Sequence, residues 1–230
     1  MLDPGGRVVM VSGASRGIGR AVVERLLAAG FQVSAGVRSP RGLTGTDRLM
    51  VQRYDAEDTA SAAAWVAATV ERFGALHGLV NAAGINPESP LMDPDEDALD
   101  AMGLVNVKAP MRLIRLAMPH LKACGTGRVA NLSSLSGKRV RNVNVGYALT
   151  KFAMVALTHA VRREGFDDGV RATAVCPGFV ATDMTADAAW PRDGMTRPED
   201  LAVLIDTLMR LPNTAVVAEL LVNCRLEDTL

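Results

Sequence analysis

Arg7-Val8-Val9-Met10-Val11-Ser12-Gly13-Ala14-Ser15-Arg16-Gly17-Ile18-Gly19-Arg20 is the stretch that decides the fold of this chain. Val8 to Val11 is an apolar, valine-rich run closed by a glycine turn, the pattern of a strand buried on both faces. Behind the turn, Ile18, Val22 and Leu26 recur at helical spacing and Gly30 follows as a stop. Strand, glycine turn and helix in that order make a phosphate cradle. Glycine allows the tight turn and the close approach of backbone to a pyrophosphate, whose charge then rests on unpaired N–H groups at the positive helix end. Such a turn can also serve only to pack helix on sheet; its place between strand and helix favours the dinucleotide reading.

The same alternation continues along the chain. Strand-like runs are read at Arg7–Ser12, Gln32–Val37, Leu49–Tyr54, Gly78–Asn81, Arg128–Ser133, Arg171–Cys176 and Val216–Asn223, separated by longer Ala-rich helical patterns. Asp93-Pro94 is expected to open a helix, and Thr196-x-x-Glu199 to cap another as a capping box. No repeat or linker divides the 230 residues. The expected fold is α/β: one domain over 1–230, a doubly wound parallel sheet with helices on both faces, binding its ligand beyond the carboxyl ends of the strands.

Composition narrows the function. Hydrophobic residues make up 49% of the chain, enough for one sizeable core. Twenty-five basic residues balance 25 acidic ones, so no broad positive field exists for a nucleic acid or an anionic membrane. Apolar stretches are all interrupted well short of the roughly 18 residues of a membrane span, and Met1 to Val11 lacks the pattern of a secretory leader. A soluble, cytoplasmic protein is expected. Cys124, Cys176 and Cys224 are odd in number and suit reduced, buried thiols, and His77, His120 and His159 lack metal-ligand spacing, so no metal is expected.

The glycine spacing, G-x-x-x-G-x-G at Gly13, Gly17 and Gly19, resembles that of the short-chain dehydrogenase/reductase family. Asn81-Ala82-Ala83-Gly84 resembles the family's Asn-Asn-Ala-Gly segment, with Ala82 replacing the second Asn, and Cys176-Pro177-Gly178-Phe179-Val180-Ala181-Thr182 resembles its Pro-Gly turn. The resemblance runs from Arg7 to about Leu220 and implies a Rossmann-type fold. It further implies that Gly13, Ser15, Gly17, Ile18 and Gly19 bind the pyrophosphate region and that Arg16 faces the region beyond the second strand where a 2′-phosphate would lie. Asn81, Ala82, Ala83 and Gly84 would then border the cofactor, and Pro177, Gly178, Val180 and Thr182 would hold the nicotinamide carboxamide. Asp55 stands where the family hydrogen-bonds the adenine, although a helix cap accounts for it equally.

Tyr147-Ala148-Leu149-Thr150-Lys151 puts phenol and ammonium on one helix face at i and i+4. A nearby cation is expected to lower the phenol's value of about 10 and make it a useful acid–base group. Alone, this spacing fits an exposed surface pair. Ser134, in Asn131-Leu132-Ser133-Ser134-Leu135-Ser136-Gly137, is suited to hydrogen-bond a substrate carbonyl, with Ser133 and Ser136 as rivals. The resemblance selects Ser134, which lies three residues before a glycine and thirteen before the tyrosine. Asn106 is expected mid-helix, where asparagine fits poorly. The resemblance implies that it bends the helix and holds a water linking Lys151 to solvent, which makes Asn106, Ser134, Tyr147 and Lys151 the catalytic group. Tyr147 and Lys151 also meet the cofactor.

By the resemblance's spacing, Val37 occupies the strand-end position where an NAD-selective site commonly has a carboxylate, and Arg38 and Ser39 follow. With Arg16, these offer guanidinium and hydroxyl partners to a 2′-phosphate, although either arginine alone is an ordinary surface charge. The expected cofactor is NADP, with NAD as the alternative. A small carbonyl or alcohol is the expected substrate, under a short lid near 179–196. Met184, Trp190 and Met195 would line a pocket there, pack the lid, or form an interface. The family implies a homodimer or homotetramer. The rival function is a non-catalytic dinucleotide-binding regulator, which would have no need of the tyrosine–lysine pair.

Overall fold

The computed structural model describes residues 1–40 and 42–226. Strands β1 (Val8–Ser12), β2 (Gln32–Val37), β3 (Leu49–Arg53), β4 (Gly78–Asn81), β5 (Arg128–Leu132), β6 (Arg171–Pro177) and β7 (Glu219–Val222) form one sheet ordered β3-β2-β1-β4-β5-β6-β7. Every pairing in it is parallel. The chain leaves β1 toward β2 and β3 and returns to β4 on its other side, so a crevice opens beyond the carboxyl ends of β1 and β4. Register lines these ends up: Ser12 faces Gly36 and Asn81, and Asn81 faces Asn131. The segments that follow β1, β2, β4 and β5 therefore leave the sheet at one level.

Among the described residues six α-helices cover the sheet: α1 (Gly17–Ala29), α2 (Thr59–Phe73), α3 (Asp97–Met102), α4 (Ala109–Ala123), α5 (Val145–Gly165) and α6 (Pro198–Arg210). Successive strand residues point to opposite faces, which splits the core in two. Val9, Val11 and Val33 pack with Val22, Leu26, Ile205 and Met209 of α1 and α6. Val8, Met10, Leu79 and Val129 pack with Trp65, Leu113, Leu121 and Val161 of α2, α4 and α5. Each such burial contributes about 1.5–3 kcal/mol. No helix among the described residues is long and apolar enough to cross a membrane.

Some boundaries differ from expectation. Asp93-Pro94 does not open α3. Asp93 and Asp95 instead accept the backbone N–H groups of Asp95 and Asp97 at 3.0 and 2.9 Å, so side chains compete for the backbone and delay the helix to Asp97. Thr196 and Glu199 do not cap α6: Thr196 is bridged to Val180, and the cap is Arg197, whose backbone N–H and guanidinium both donate to Asp200. β7 is shorter than expected at its start, Glu219 rather than Val216. Of the cysteines only Cys176 is buried; Cys124 and Cys224 are partly exposed.

Candidate active site

The turn after β1 has the geometry of a cradle. Gly13 and Gly17 take left-handed φ values of 66° and 54°, open to glycine at little cost. A Cβ on Gly13 would stand 2.7 Å from the Ala83 backbone nitrogen, so the turn lies directly against the segment leaving β4. Ser12 Oγ reinforces this contact by accepting from the N–H groups of Ala82 and Ala83 at 3.1 and 3.3 Å. A Cβ on Gly19 would collide with the Gly13 carbonyl, which explains the third glycine. The N-terminus of α1 has no side-chain cap and no acid in its first turn. Its N–H groups and dipole are therefore directed at the crevice without a competing negative group. These residues fit a dinucleotide pyrophosphate.

Around the cradle, β2 ends in buried Val37, and the chain emerges as exposed Arg38 and Ser39. Tight packing aims this end, for a Cβ on Gly36 would overlap Trp65. Asp55 is not the cap of α2. Asp58 is, accepting from Ala60 and Ser61, whereas Asp55 Oδ1 accepts from Glu57 N–H at 3.2 Å in a turn just past β3. Arg16 is exposed and paired with Asp183 at 3.1 Å. Thr182 lies over Gly17, its Cγ2 3.2 Å from where a Cβ would be. The stretch after β6 thus reaches back across the sheet to the cradle. It forms a loop laced at its base: Ala181 N–H donates to the Thr196 carbonyl at 2.9 Å and Thr196 N–H to the Phe179 carbonyl at 3.1 Å. Arg192 donates to the carbonyls of Ala181 and Thr182 at 3.2 Å each. Between this loop and α1 lies a cavity of about 220 Å³, bordered by Gly17, Arg20, Thr182, Asp183 and Glu199. Met184, Trp190 and Met195 separate: Met195 is buried, Met184 is exposed, and Trp190 donates to the Gly194 carbonyl beneath the Arg225 guanidinium.

The four proposed catalytic residues come together on the β4–β5 side of the crevice. Ser133 Oγ faces inward and donates to the Lys151 carbonyl at 2.8 Å, and Ser136 supplies a backbone N–H to Ser134 Oγ at 3.1 Å. Ser134 Oγ donates to the Pro177 carbonyl at 3.4 Å and is the serine that acts on the Tyr147 phenol. Lys151 is 6% exposed; its Nζ lies 5.3 Å from the Tyr147 ring centre and donates to the Leu132 carbonyl at 2.9 Å. Burial pushes the Tyr147 phenol up to about 12, the Ser134 hydrogen bond pulling the other way. This corrects the expectation of a lowered phenol. In the protein alone, loss of water outweighs the Ser134 hydrogen bond, and burial pulls the Lys151 ammonium itself down to about 8.

Asn106 lies not in regular α-helix but in a π-helical turn, Gly103–Lys108, between α3 and α4. Its side chain is occupied: Oδ1 accepts from Ile85 N–H at 2.9 Å, and Nδ2 donates to the Ile85 carbonyl at 2.9 Å and Thr150 Oγ1 at 3.2 Å. It therefore ties the segment after β4 to α5. Gly84 sits beside it, a Cβ there falling 3.3 Å from Asn106 Oδ1 and 3.8 Å from Lys151 Nζ. Asn81 works in a second tie, donating to Asn131 Oδ1 at 2.8 Å while Asn131 donates to Thr158 at 2.9 Å. On the far side, Gly178 leaves β6 against Asn223, where a Cβ would stand 2.5 Å from Asn223 Oδ1. Reasoning from sequence missed Asn131, Asn144 and Asp183. Asn144 alone carried a local signal, an N-cap residue type just before the helix of Tyr147.

Over residues 7–192 the chain matches the family described as short chain dehydrogenase. It is 42% identical over 229 residues to an agropine synthesis reductase of Rhizobium rhizogenes, covering 96% of this chain and 53% of that relative. The chain thus spans about half the length of the two agropine synthesis reductases it matches. The 2-(R)-hydroxypropyl-CoM dehydrogenase of Xanthobacter autotrophicus is 34% identical over 191 residues, covering 78% of this chain and 76% of that one. Among solved structures, levodione reductase superposes with a TM-score of 0.86 at 26% identity, over 95% of this chain and 96% of that chain. The serine, tyrosine and lysine gathered beside a glycine cradle, and these matches, lead to one conclusion: the chain belongs to the short-chain dehydrogenase family of oxidoreductases.

Proposed function

We propose that the protein is an NADP-dependent oxidoreductase acting on the carbonyl or alcohol group of a small substrate. The observation that carries this reading is the buried Lys151 ammonium 5.3 Å from the Tyr147 ring, with Ser134 acting on the phenol, next to an uncapped glycine cradle. When bound, the cofactor supplies the hydride acceptor and donor; the chain's own residues do the rest. Ser134 orients the substrate oxygen, and Tyr147, neutral through the physiological range, delivers a proton to it. Lys151 stands ready to release a proton near pH 8 and to resupply the phenol. Asn106 braces the segment beside them.

For the cofactor, Gly13 to Gly19 hold the pyrophosphate, Asp55 the adenine, and Ala82 to Gly84 form a wall. Pro177, Gly178, Val180 and Thr182 hold the carboxamide, and Arg16, Arg38 and Ser39 receive the 2′-phosphate. The loop 179–196 covers the substrate. A relative named as a reductase and another named as a dehydrogenase support carbonyl–alcohol exchange. The test is NADPH oxidation against carbonyl compounds of graded size and charge, in wild type and Tyr147→Phe. The substitution should lower turnover at least about a hundredfold with coenzyme Kd unchanged. Retention of more than about a tenth of turnover overturns the role of Tyr147. Tight coenzyme binding with no turnover of any carbonyl or alcohol would favour a non-catalytic regulator.

A further inference from the structure

α5 begins at Val145, so Tyr147 lies in its first turn, where backbone N–H groups depend on flanking partners. Asn144 is the N-cap. Its Oδ1 accepts from the N–H groups of Tyr147 at 3.4 Å and Ser89 at 3.1 Å, and its Nδ2 donates to Asn86 Oδ1 and the Pro87 carbonyl, both at 2.9 Å. Two donors and two acceptor directions exhaust a primary amide, and these partners admit one orientation of it. Gly146 N–H donates to the Ser89 carbonyl at 3.0 Å. A Cβ on Gly146 would stand 2.5 Å from Ser89 Oγ, so helix and loop meet with no room for a side chain.

The loop gripped in this way is the continuation of β4. Asn106 clamps it at Ile85, just past the crevice wall at Ala82 to Gly84, and Asn144 clamps it again at Asn86, Pro87 and Ser89. A helix cap requires only an acceptor, which serine, threonine or aspartate supplies as well as asparagine. The two donors aimed at the loop have no part in capping. We propose that Asn144 is a positioning residue that joins the first turn of α5 to the loop 86–89 and so fixes the Tyr147 hydroxyl against the crevice wall. This rests on the role proposed above for Tyr147. Proton transfer needs hydrogen-bond reach, and a displacement of about 1 Å costs on the order of a hundredfold in rate.

Asn144→Ser retains a capping oxygen and lacks both amide donors; Asn144→Asp retains both acceptors and sets a carboxylate against two oxygens. Both should lower kcat about tenfold or more, leave KM and coenzyme Kd within about twofold, and raise the primary isotope effect measured with deuterated NADPH. A readout independent of turnover is the near-ultraviolet phenolate absorbance. In Asn144→Ser, Tyr147 should titrate about one pH unit lower than in wild type or more, because the loosened turn admits water, while Tyr54 is unmoved. The same titration in a Tyr147→Phe background identifies the signal, and Asn144→Thr replaces the serine variant should that one fail to fold. Wild-type kcat together with a wild-type phenolate titration overturns the proposal and leaves Asn144 a simple cap. If the wild type reduces no carbonyl, Tyr147 is not the proton donor, and the titration shift alone then decides whether Asn144 holds the phenol.

Discussion

Replacing Lys151 by methionine isolates the energetic cost of the candidate site. Lys151 is 6% exposed, donates to the Leu132 carbonyl at 2.9 Å, and is lowered by burial from 10.5 to about 8. At about 1.4 kcal/mol per pH unit, keeping the ammonium inside costs roughly 3 kcal/mol at neutral pH. Below pH 8 folded and unfolded chains both hold the proton and the cost is complete. Between 8 and 10.5 the unfolded chain keeps a proton that the folded chain has released, so stability climbs with pH; above 10.5 the cost has gone. Methionine fills similar volume without charge but forfeits the bond to Leu132, worth about 1 kcal/mol net. Lys151→Met should therefore exceed wild type by about 2 kcal/mol at pH 7, and the difference should fall by roughly 2.5 kcal/mol and change sign by pH 10. Urea unfolding followed by circular dichroism across that range, with equal m values, measures it. A difference that stays constant within about 0.5 kcal/mol refutes the burial argument. The same variant should lose turnover, the trade expected where a site is held at the expense of stability.

Four further outcomes are expected. Gly13→Ala imposes φ 66° on a residue with a Cβ and drives that atom to 2.7 Å from the Ala83 nitrogen. It should cost about 2–5 kcal/mol in urea unfolding, and unchanged stability would mean the turn can move away from β4. Arg38→Ala should abolish most of a preference for NADPH over NADH of about tenfold, measured as kcat/KM. Asp183→Asn, by releasing Arg16 from its ion pair, should raise NADPH affinity about threefold and leave NADH unchanged; an equal effect on both coenzymes counts against it. Arg25→Ala strips the cation from Asp206, whose side chain is 3% exposed and which lies 2.8 Å from Arg25 Nη2. Because Arg25 is itself partly exposed, the cost should be about 2–3 kcal/mol by thermal unfolding, and adding Asp206→Asn should recover much of it.

Much of the site was legible in the chain because its chemistry is local. The turn Gly13 to Gly19 lies between one strand and the next helix, and Tyr147 and Lys151 share a helix face through spacing alone. Strands buried on both faces show as unbroken valine-rich runs, so the sheet was readable nearly to the residue in β2 and β4. Helix starts were less so. At Asp93 and Thr196 good capping residues are present, but neighbouring aspartates and a bridge to Val180 take their places.

What only the tertiary structure decided is which of several chemically equal residues faces the crevice and what each one's partners leave free. Ser133, Ser134 and Ser136 are interchangeable as letters; the packing of α5 against β5 turns Ser133 inward and leaves Ser134 with Tyr147. Asp55 was a plausible cap, but the helix starts later and Asp58 caps it. Asn106 owes its bonds to Ile85 and Thr150, residues 21 and 44 positions away. The phenol's direction also reversed, since its value depends on how much water the folded chain removes, and charge spacing along a helix contains no measure of that. Spacing determines which groups share a face; desolvation and long-range hydrogen bonds exist only once distant segments have closed around them.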